Sequence, residues 1–255
     1  MKILSTITLL GVSNSALAAG GFTWLSGFSQ KVNLAEHTVT FLLTSIIFIL
    51  GGLVYRFKTS NVDESLVPDK GISFRNIIEA ISEFFYNLAK ETMGKGPAKT
   101  YYPLIIFYFG FIFLNNIIGL IPGFLPPTEN FNTGLALGLF IFLYYNGQGI
   151  KVQGLWGHIK HFMGPMIYMA PLIFVLEVIS HAMRPLTLGL RIRGNMLGDH
   201  TVLAIFTDLV PYIVPIPFYC LGIFVCFMQA FVFTLLTMIY IAMAVETHDH
   251  EEHAH

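Results

Sequence analysis

The chain has 255 residues, a formal net charge of −1 and 11% charged residues, against about 25% in an average soluble domain. With 55% hydrophobic residues and a mean hydropathy of +0.68 it cannot coat a globular core with charge, so lipid is the solvent over most of its length. The near-neutral charge excludes a nucleic-acid partner, and two cysteines in one apolar run, Cys220 and Cys226, set up neither a disulfide framework nor a zinc site.

Lys2, the apolar run Ile3 to Val12 and the small residues Ser15-Ala16-Leu17-Ala18-Ala19 form a secretory-signal pattern. Residues 1–18 are therefore expected to be a signal peptide and 19–37 a short periplasmic segment. A first span, Thr38 to Tyr55, is bounded by Glu36-His37 and by Arg56 and Lys58. From Ile72 to Thr92, Phe74, Ile77, Ile78, Ile81, Phe84, Phe85 and Leu88 recur at helical spacing, with Arg75, Glu79, Glu83 and Lys90 on the other side. That pattern predicts an amphipathic helix lying in the membrane plane. A second span runs Tyr101 to Ile121 and ends at Pro122, and a third runs Thr133 to Tyr145.

Met163 to Leu209 is helix-compatible throughout, and a helix of roughly 45 residues would be about 67 Å long. Pro211, Pro215 and Pro217 then mark a turn before the apolar run Phe218 to Val245. A hydrocarbon core of about 30 Å holds neither element upright. The predicted fold is an all-α integral membrane protein, with a membrane domain over 38–246. It has about five membrane-crossing helices, including two long, strongly tilted C-terminal ones, plus one in-plane amphipathic helix. The tail 247–255, rich in histidine and acid, reads as a disordered, solvated end rather than a metal site. Gly94-Lys95-Gly96-Pro97-Ala98-Lys99-Thr100 lacks the glycines that a phosphate loop requires. No cofactor or metal is expected.

Basic residues set the expected orientation. Arg56, Lys58, Lys70, Arg75, Lys90, Lys95 and Lys99 lie between the first and second spans, and Lys151 and Lys160 lie after the third. None lies in the Pro122 to Asn132 or Asp208 to Pro217 turns. The positive-inside rule puts the first two regions in the cytoplasm, which implies a periplasmic N-terminus and a cytoplasmic C-terminus.

The first sloping helix carries a polar stripe. At about 100° per residue, Glu177, His181, Arg184, Arg191, Asn195 and Asp199 share an arc of about 80°, while Arg193 and His200 point nearly opposite. A charge at the membrane centre costs at least about 2.5 to 3.5 kcal/mol on insertion scales, so such a stripe marks function; Arg184 alone also fits a helix end snorkelling to the interface. Alternating acid, base and amide groups suit a proton or cation path. On the second sloping helix Gln229 either answers the stripe or makes an ordinary helix–helix hydrogen bond.

Arg184-Pro185-Leu186-Thr187-Leu188-Gly189-Leu190-Arg191-Ile192-Arg193-Gly194-Asn195-Met196 closely resembles the signature of subunit a of F-type ATP synthases. Gln229-Ala230-Phe231-Val232-Phe233-Thr234-Leu235-Leu236 resembles that family's second signature, and Asn116-Ile117-Ile118-Gly119-Leu120-Ile121-Pro122-Gly123 its motif at the end of the second span. The likeness covers Thr38 to Glu246. It implies a non-catalytic stator subunit of the F0 sector in a bacterial inner membrane, set against a c-subunit ring, with the b subunits of the peripheral stalk and the rest of the F1F0 synthase as partners. It also implies that Arg191 faces the ring carboxylate, attracts its deprotonated form and blocks leakage between two offset half-channels. Asn195 and Gln229 match polar neighbours of that arginine, and Glu177 a carboxylate of the cytoplasmic half-channel.

The chain departs from the pattern on the outer side. His200 sits where some members carry glutamate, but the position the family pairs with it is Gly222, and Gly119 replaces an aspartate of some members. His200 therefore needs another acid, and Asp199 and Asp208 are the candidates. Asp208 either admits protons at the channel mouth or caps the turn before Pro211. His200 itself has an unperturbed pKa of about 6.5, near working pH. Two rivals are weaker on the residues alone, since the histidines do not pair across two assigned spans and no inverted repeat is visible. A haem protein would use His158, His161, His181 and His200 and show a Soret band. An autonomous cation channel or transporter would show inverted repeats.

Overall fold

The computed structural model describes residues 24–58, 73–121, 123–163, 170–209 and 215–245, and among these the chain is helical with short connections. α1 (Ser26–Val32) ends at Asn33, whose left-handed backbone (φ 54°) turns the chain into α2 (Glu36–Lys58). α3 (Phe74–Met93) and α4 (Lys95–Ile117) share Gly94, whose φ of 80° suits a residue without a Cβ. Two 3-10 turns, Ile118–Leu120 and Pro127–Glu129, lead to α5 (Phe131–Met163), which bends at Gly154. α6 (Ala170–Leu209) and α7 (Pro215–Val245) complete the described chain.

α2, α4, α6 and α7 are long and apolar enough to cross a membrane. The third expected span, Thr133 to Tyr145, is the first part of α5. Its apolar run gives way to Asn146, Gly147, Gln148 and Gly149, so α5 is not among those four by length and composition. α6 has 40 residues and α7 31, about 60 Å and 46 Å of helix, so both must slope in a hydrocarbon core of about 30 Å. α7 begins earlier than the prolines suggest. Pro215 and Pro217 stand in the first turn of α7, where no intrahelical N–H is needed. Pro185 does not interrupt α6. The expectations about the signal-like start and the acidic tail fall outside the described residues.

In lipid, burying an apolar side chain gains little from leaving water, so packing and polar contacts must hold the helices together. Between α3, α4 and α7 the contacts are aromatic. Phe85 meets Phe109 at 4.3 Å between ring centroids, and Tyr108 stacks on Phe233 at 6.0 Å. α2 is held to α4 by the Thr44 hydroxyl, which donates to Asn115 Oδ1 at 2.7 Å, and by the edge of Phe41 on Phe111. α3 corrects one expectation. Arg75, assigned from spacing to the polar side, is buried and pairs with Glu79 at 2.6 Å, whereas Phe74, Ile77, Ile81 and Phe84 are exposed. α3 packs through Phe85 and Ala89, with Leu88 and Met93 partly buried against the same core, while its exposed apolar side chains suit a helix in contact with lipid.

α5 and α6 approach backbone to backbone. A Cβ on Gly138 would lie 2.8 Å from the Pro185 carbonyl oxygen, and one on Gly189 would lie 2.9 Å from the Leu135 nitrogen. Gly134 and Gly138, like Pro185 and Gly189, are four apart, the spacing that stacks small residues on one helix face. This contact fixes how α6 is rotated. It turns Pro185, Leu188, Gly189, Ile192 and Met196 inward.

Candidate functional site

With that face of α6 buried, the polar stripe runs along the edge between packed and open surface. Glu177, His181, Arg184 and Asp199 are half-buried, while Arg191 and Asn195 are exposed. Around Arg191 the open face is low: a Cβ on Gly194 or Gly198 would meet nothing within 4 Å. Arg191 is thus a permanent cation at an open surface whose neighbours, Leu190 and Leu197, are exposed and apolar. Arg193 is half-buried on another side of the helix.

One turn beyond Arg191, Asn195 Nδ2 donates to Gln229 Oε1 at 2.6 Å and ties α6 to α7. Asn195 belongs to the polar stripe, so this bond agrees with both readings left open for Gln229. Gln229 is buried, and its Nε2 has no hydrogen-bond partner among the described residues. A buried amide donor left so costs about 1 to 3 kcal/mol, a cost that packing alone would not retain.

Asp199 lies across from Gly222. A Cβ at position 222 would come within 2.9 Å of Asp199 Oδ2 and 2.7 Å of a Leu120 methyl. Leu120, Met196 and Cys226 form the small apolar cluster below it. The glycine therefore makes room for the carboxylate on the facing helix. Asn116, in the α4 motif, is fully buried, and neither polar atom of its side chain has a partner among the described residues. The side chains of His200 and Asp208 lie outside the described residues.

Toward the other end of α6 the stripe gathers partners from two helices. Arg184 Nη2 lies 3.5 Å from Glu177 Oε1, and its guanidinium sits 4.9 Å above the Tyr240 ring on α7. Arg184 is 15% exposed, so it is a paired cation held across helices and not one reaching for the interface. His181 Nε2 lies 2.8 Å from Asn146 Oδ1 and 3.2 Å from the Tyr145 hydroxyl, both on α5. Tyr145, Asn146 and Tyr240 were missed in the sequence. Their only signal was the polar end of the third apolar run, since a wheel drawn for one helix does not show what faces it.

A family profile described as "ATP synthase A chain" matches residues 37–242. The chain belongs to the ATP synthase A chain family. ATP synthase subunit a of Bdellovibrio bacteriovorus is 46% identical over 229 residues, covering 90% of this chain and 99% of that protein. The subunit a of Sorangium cellulosum is 39% identical over 229 residues, 86% of this chain and 89% of its own, and that of Geobacter sulfurreducens 46% over 187 residues, 71% and 81%. Membership of the subunit a family places the chain in the F0 sector as a multi-pass membrane protein concerned with proton transport in ATP synthesis. The haem reading is thereby set aside, as is the autonomous transporter.

Proposed function

We propose that this chain is the stator of the proton path of a rotary ATP synthase, forming two offset half-channels against a ring of c subunits. The observation that carries the reading is Arg191, exposed on the open side of α6 one turn from the Asn195–Gln229 bond. A guanidinium stays charged at any cellular pH, so at this face it attracts a deprotonated ring carboxylate and repels a free proton. The open Gly194 and Gly198 positions let a partner helix come close to it. Asn195 and Gln229 supply neutral hydrogen-bonding groups beside the charge, which hold water without trapping a proton.

Glu177, with its Arg184 partner, serves the cytoplasmic half-channel. Asp199 serves the outer one, where its carboxylate takes the place that a side chain at Gly222 would fill. His200 passes protons to it and Asp208 stands at the mouth; for these two the support is their place in the sequence. The chain conducts protons and neither binds nor hydrolyses ATP. The Lys/Arg distribution supports a periplasmic N-terminus and a cytoplasmic C-terminus in a bacterial inner membrane.

Solubilised in mild detergent and purified through a tag on its C-terminus, the chain should bring with it the c ring, the b subunits of the peripheral stalk and the F1 sector. Recovery of the chain alone from membranes that contain an intact synthase would contradict the reading.

A further inference from the structure

A cavity of about 680 Å³ lies between α2, α4 and α5, within the roughly 300 to 1,000 Å³ of sites that bury a small organic molecule. Phe107, Ala136 and Phe140 are exposed at its rim, so it opens toward lipid. Its lining is sorted by depth. At the end where α2 and α5 begin, it is lined by His37 and Thr38 of α2 and by Asn132 and Thr133 of α5. Further in the lining is apolar, first Phe41, Phe111 and Leu137, then Phe107 and Phe140. Contacts among the rings set these walls. Phe41 meets Phe111 edge-on at 5.5 Å, Phe107 stacks on Phe111 at 5.6 Å, and Tyr108 stacks on Phe140 at 6.0 Å. Deeper still, Phe48 touches Phe107 and Phe111 at 5.4 and 5.9 Å, so α2 and α4 meet there.

From Asn132 to Phe140 the lining covers about 12 Å of α5. That is less than half of a hydrocarbon core of about 30 Å, and a helix with its side chains is about 10 to 12 Å wide. A membrane-crossing helix of a partner would lie over the opening, whereas a flexible acyl chain can enter it. The polar end supplies donors. Asn130 Oδ1 accepts the Asn132 backbone N–H at 2.9 Å, which turns Asn130 Nδ2 toward His37 Nε2 at 3.1 Å. An amide nitrogen only donates, so Nε2 accepts and the ring carries its hydrogen on Nδ1. His37 Nδ1–H, the Thr38 and Thr133 hydroxyls and the Asn132 amide thus edge an apolar slot. Donors in that place suit the ester and phosphate oxygens where the head of a glycerophospholipid joins its tails. No Lys or Arg is among the described lining residues, while Glu36 and Glu129 adjoin His37 and Asn130 in the chain. A headgroup that carries an ammonium beside its phosphate meets those acids better than an anionic one.

We infer that this cavity is a binding site for a zwitterionic glycerophospholipid of the bilayer. One acyl chain lies along Phe41, Phe111 and Phe140, and the ester and phosphate oxygens take the donors at the polar end. The bound lipid bridges α5 to α2, a helix held to α4 by the Thr44–Asn115 bond and by ring contacts. The site is separate from the polar stripe of α6, so it stands whether or not the half-channel reading does.

The test uses the assembled synthase, reconstituted in vesicles containing phosphatidylethanolamine with a diazirine in one acyl chain. The complex is extracted into detergent, washed free of loosely held lipid and illuminated, and adducts are mapped by peptide mass spectrometry. Adducts should concentrate on the segments Phe107 to Phe111 and Ala136 to Phe140, about tenfold over the exposed Ile49 and Leu50 of α2. Ala136→Trp fills the cavity and should cut the cavity adducts about tenfold while leaving those at Ile49 and Leu50 unchanged. Should that variant fail to assemble, Thr133→Val removes one donor at nearly constant shape and should lower the cavity adducts severalfold. Even labelling of the cavity and of Ile49, or cavity labelling that the assembled variant leaves unchanged, overturns the inference. So does a disulfide from Ala136→Cys to a b subunit in a complex without cavity adducts, which would make the cavity part of a protein interface. Equal labelling of the cavity by photoreactive phosphatidylglycerol overturns the zwitterionic assignment.

Discussion

Replacing Arg191 by alanine is expected to abolish proton-coupled ATP synthesis, with a loss of roughly a hundredfold or more, while the complex stays assembled. The side chain lies on the open face of α6, outside the α5–α6 contact made by Gly134, Gly138, Pro185 and Gly189, so its removal leaves that packing intact. What is removed is the fixed charge between two half-channels. F1-stripped membranes carrying Arg191→Ala should therefore still leak protons passively, because nothing repels a proton crossing from one half-channel to the other. Arg191→Lys should fail largely as well, since an ammonium is a point donor whose pKa falls on desolvation. Arg193→Ala, on another side of the helix, should be milder by at least about tenfold. Equal rates of synthesis in the Arg191 and Arg193 variants would contradict this assignment.

Asp199→Asn is the second large effect. An asparagine fits the same space beside Gly222 but cannot carry a proton, so proton-driven synthesis should fall by about tenfold or more in assembled complexes. Position 222 makes the prediction specific. Gly222→Glu in the wild-type background puts a Cβ within 2.9 Å of Asp199 Oδ2 and sets two carboxylates together, so activity should drop. Gly222→Glu combined with Asp199→Gly moves the carboxylate to the facing helix, where only the Leu120 methyl, 2.7 Å from the new Cβ, has to shift, and should restore part of the rate lost in Asp199→Gly. Synthesis rates in reconstituted vesicles under an imposed pH gradient measure all four variants. Wild-type rates in Asp199→Asn would mean that protons reach Asn195 and Gln229 by another route.

What could be read from the chain alone follows the range of each interaction. Helix limits were legible because hydrophobic runs and punctuation are local. The expected first span, Thr38 to Tyr55, sits inside Glu36–Lys58, and the in-plane helix Ile72 to Thr92 matches Phe74–Met93 closely. The polar stripe of α6 was legible for the same reason, since one helix with a period of about 3.6 residues sets it. The burial of Arg75 was not. Which part of an apolar stripe meets protein and which meets lipid depends on α4 and α7, and both environments select the same residue types. Arg184 fits both the stripe and a helix end reaching the interface on spacing alone, and Glu177 and Tyr240 beside it are visible only in the fold. The vacancy of a side chain at Gly222 was visible in the sequence, and Asp199 was a candidate to compensate for it. Their opposition across two helices needed the fold, as did the pairing of Asn146 with His181.

The central claim is that the open face of α6 around Arg191 meets the c ring. Disulfide trapping tests it most directly. With Cys220 and Cys226 replaced by serine, a cysteine is placed at Gly194, where nothing lies within 4 Å of a new Cβ. A second is placed one helical turn from the ring carboxylate on the c subunit. Mild oxidation of membranes should give an a–c cross-link from position 194, and none when the cysteine stands at Leu188 on the buried face. A cross-link absent from position 194, but formed from the outward side of α2 at Ile49, would contradict the account.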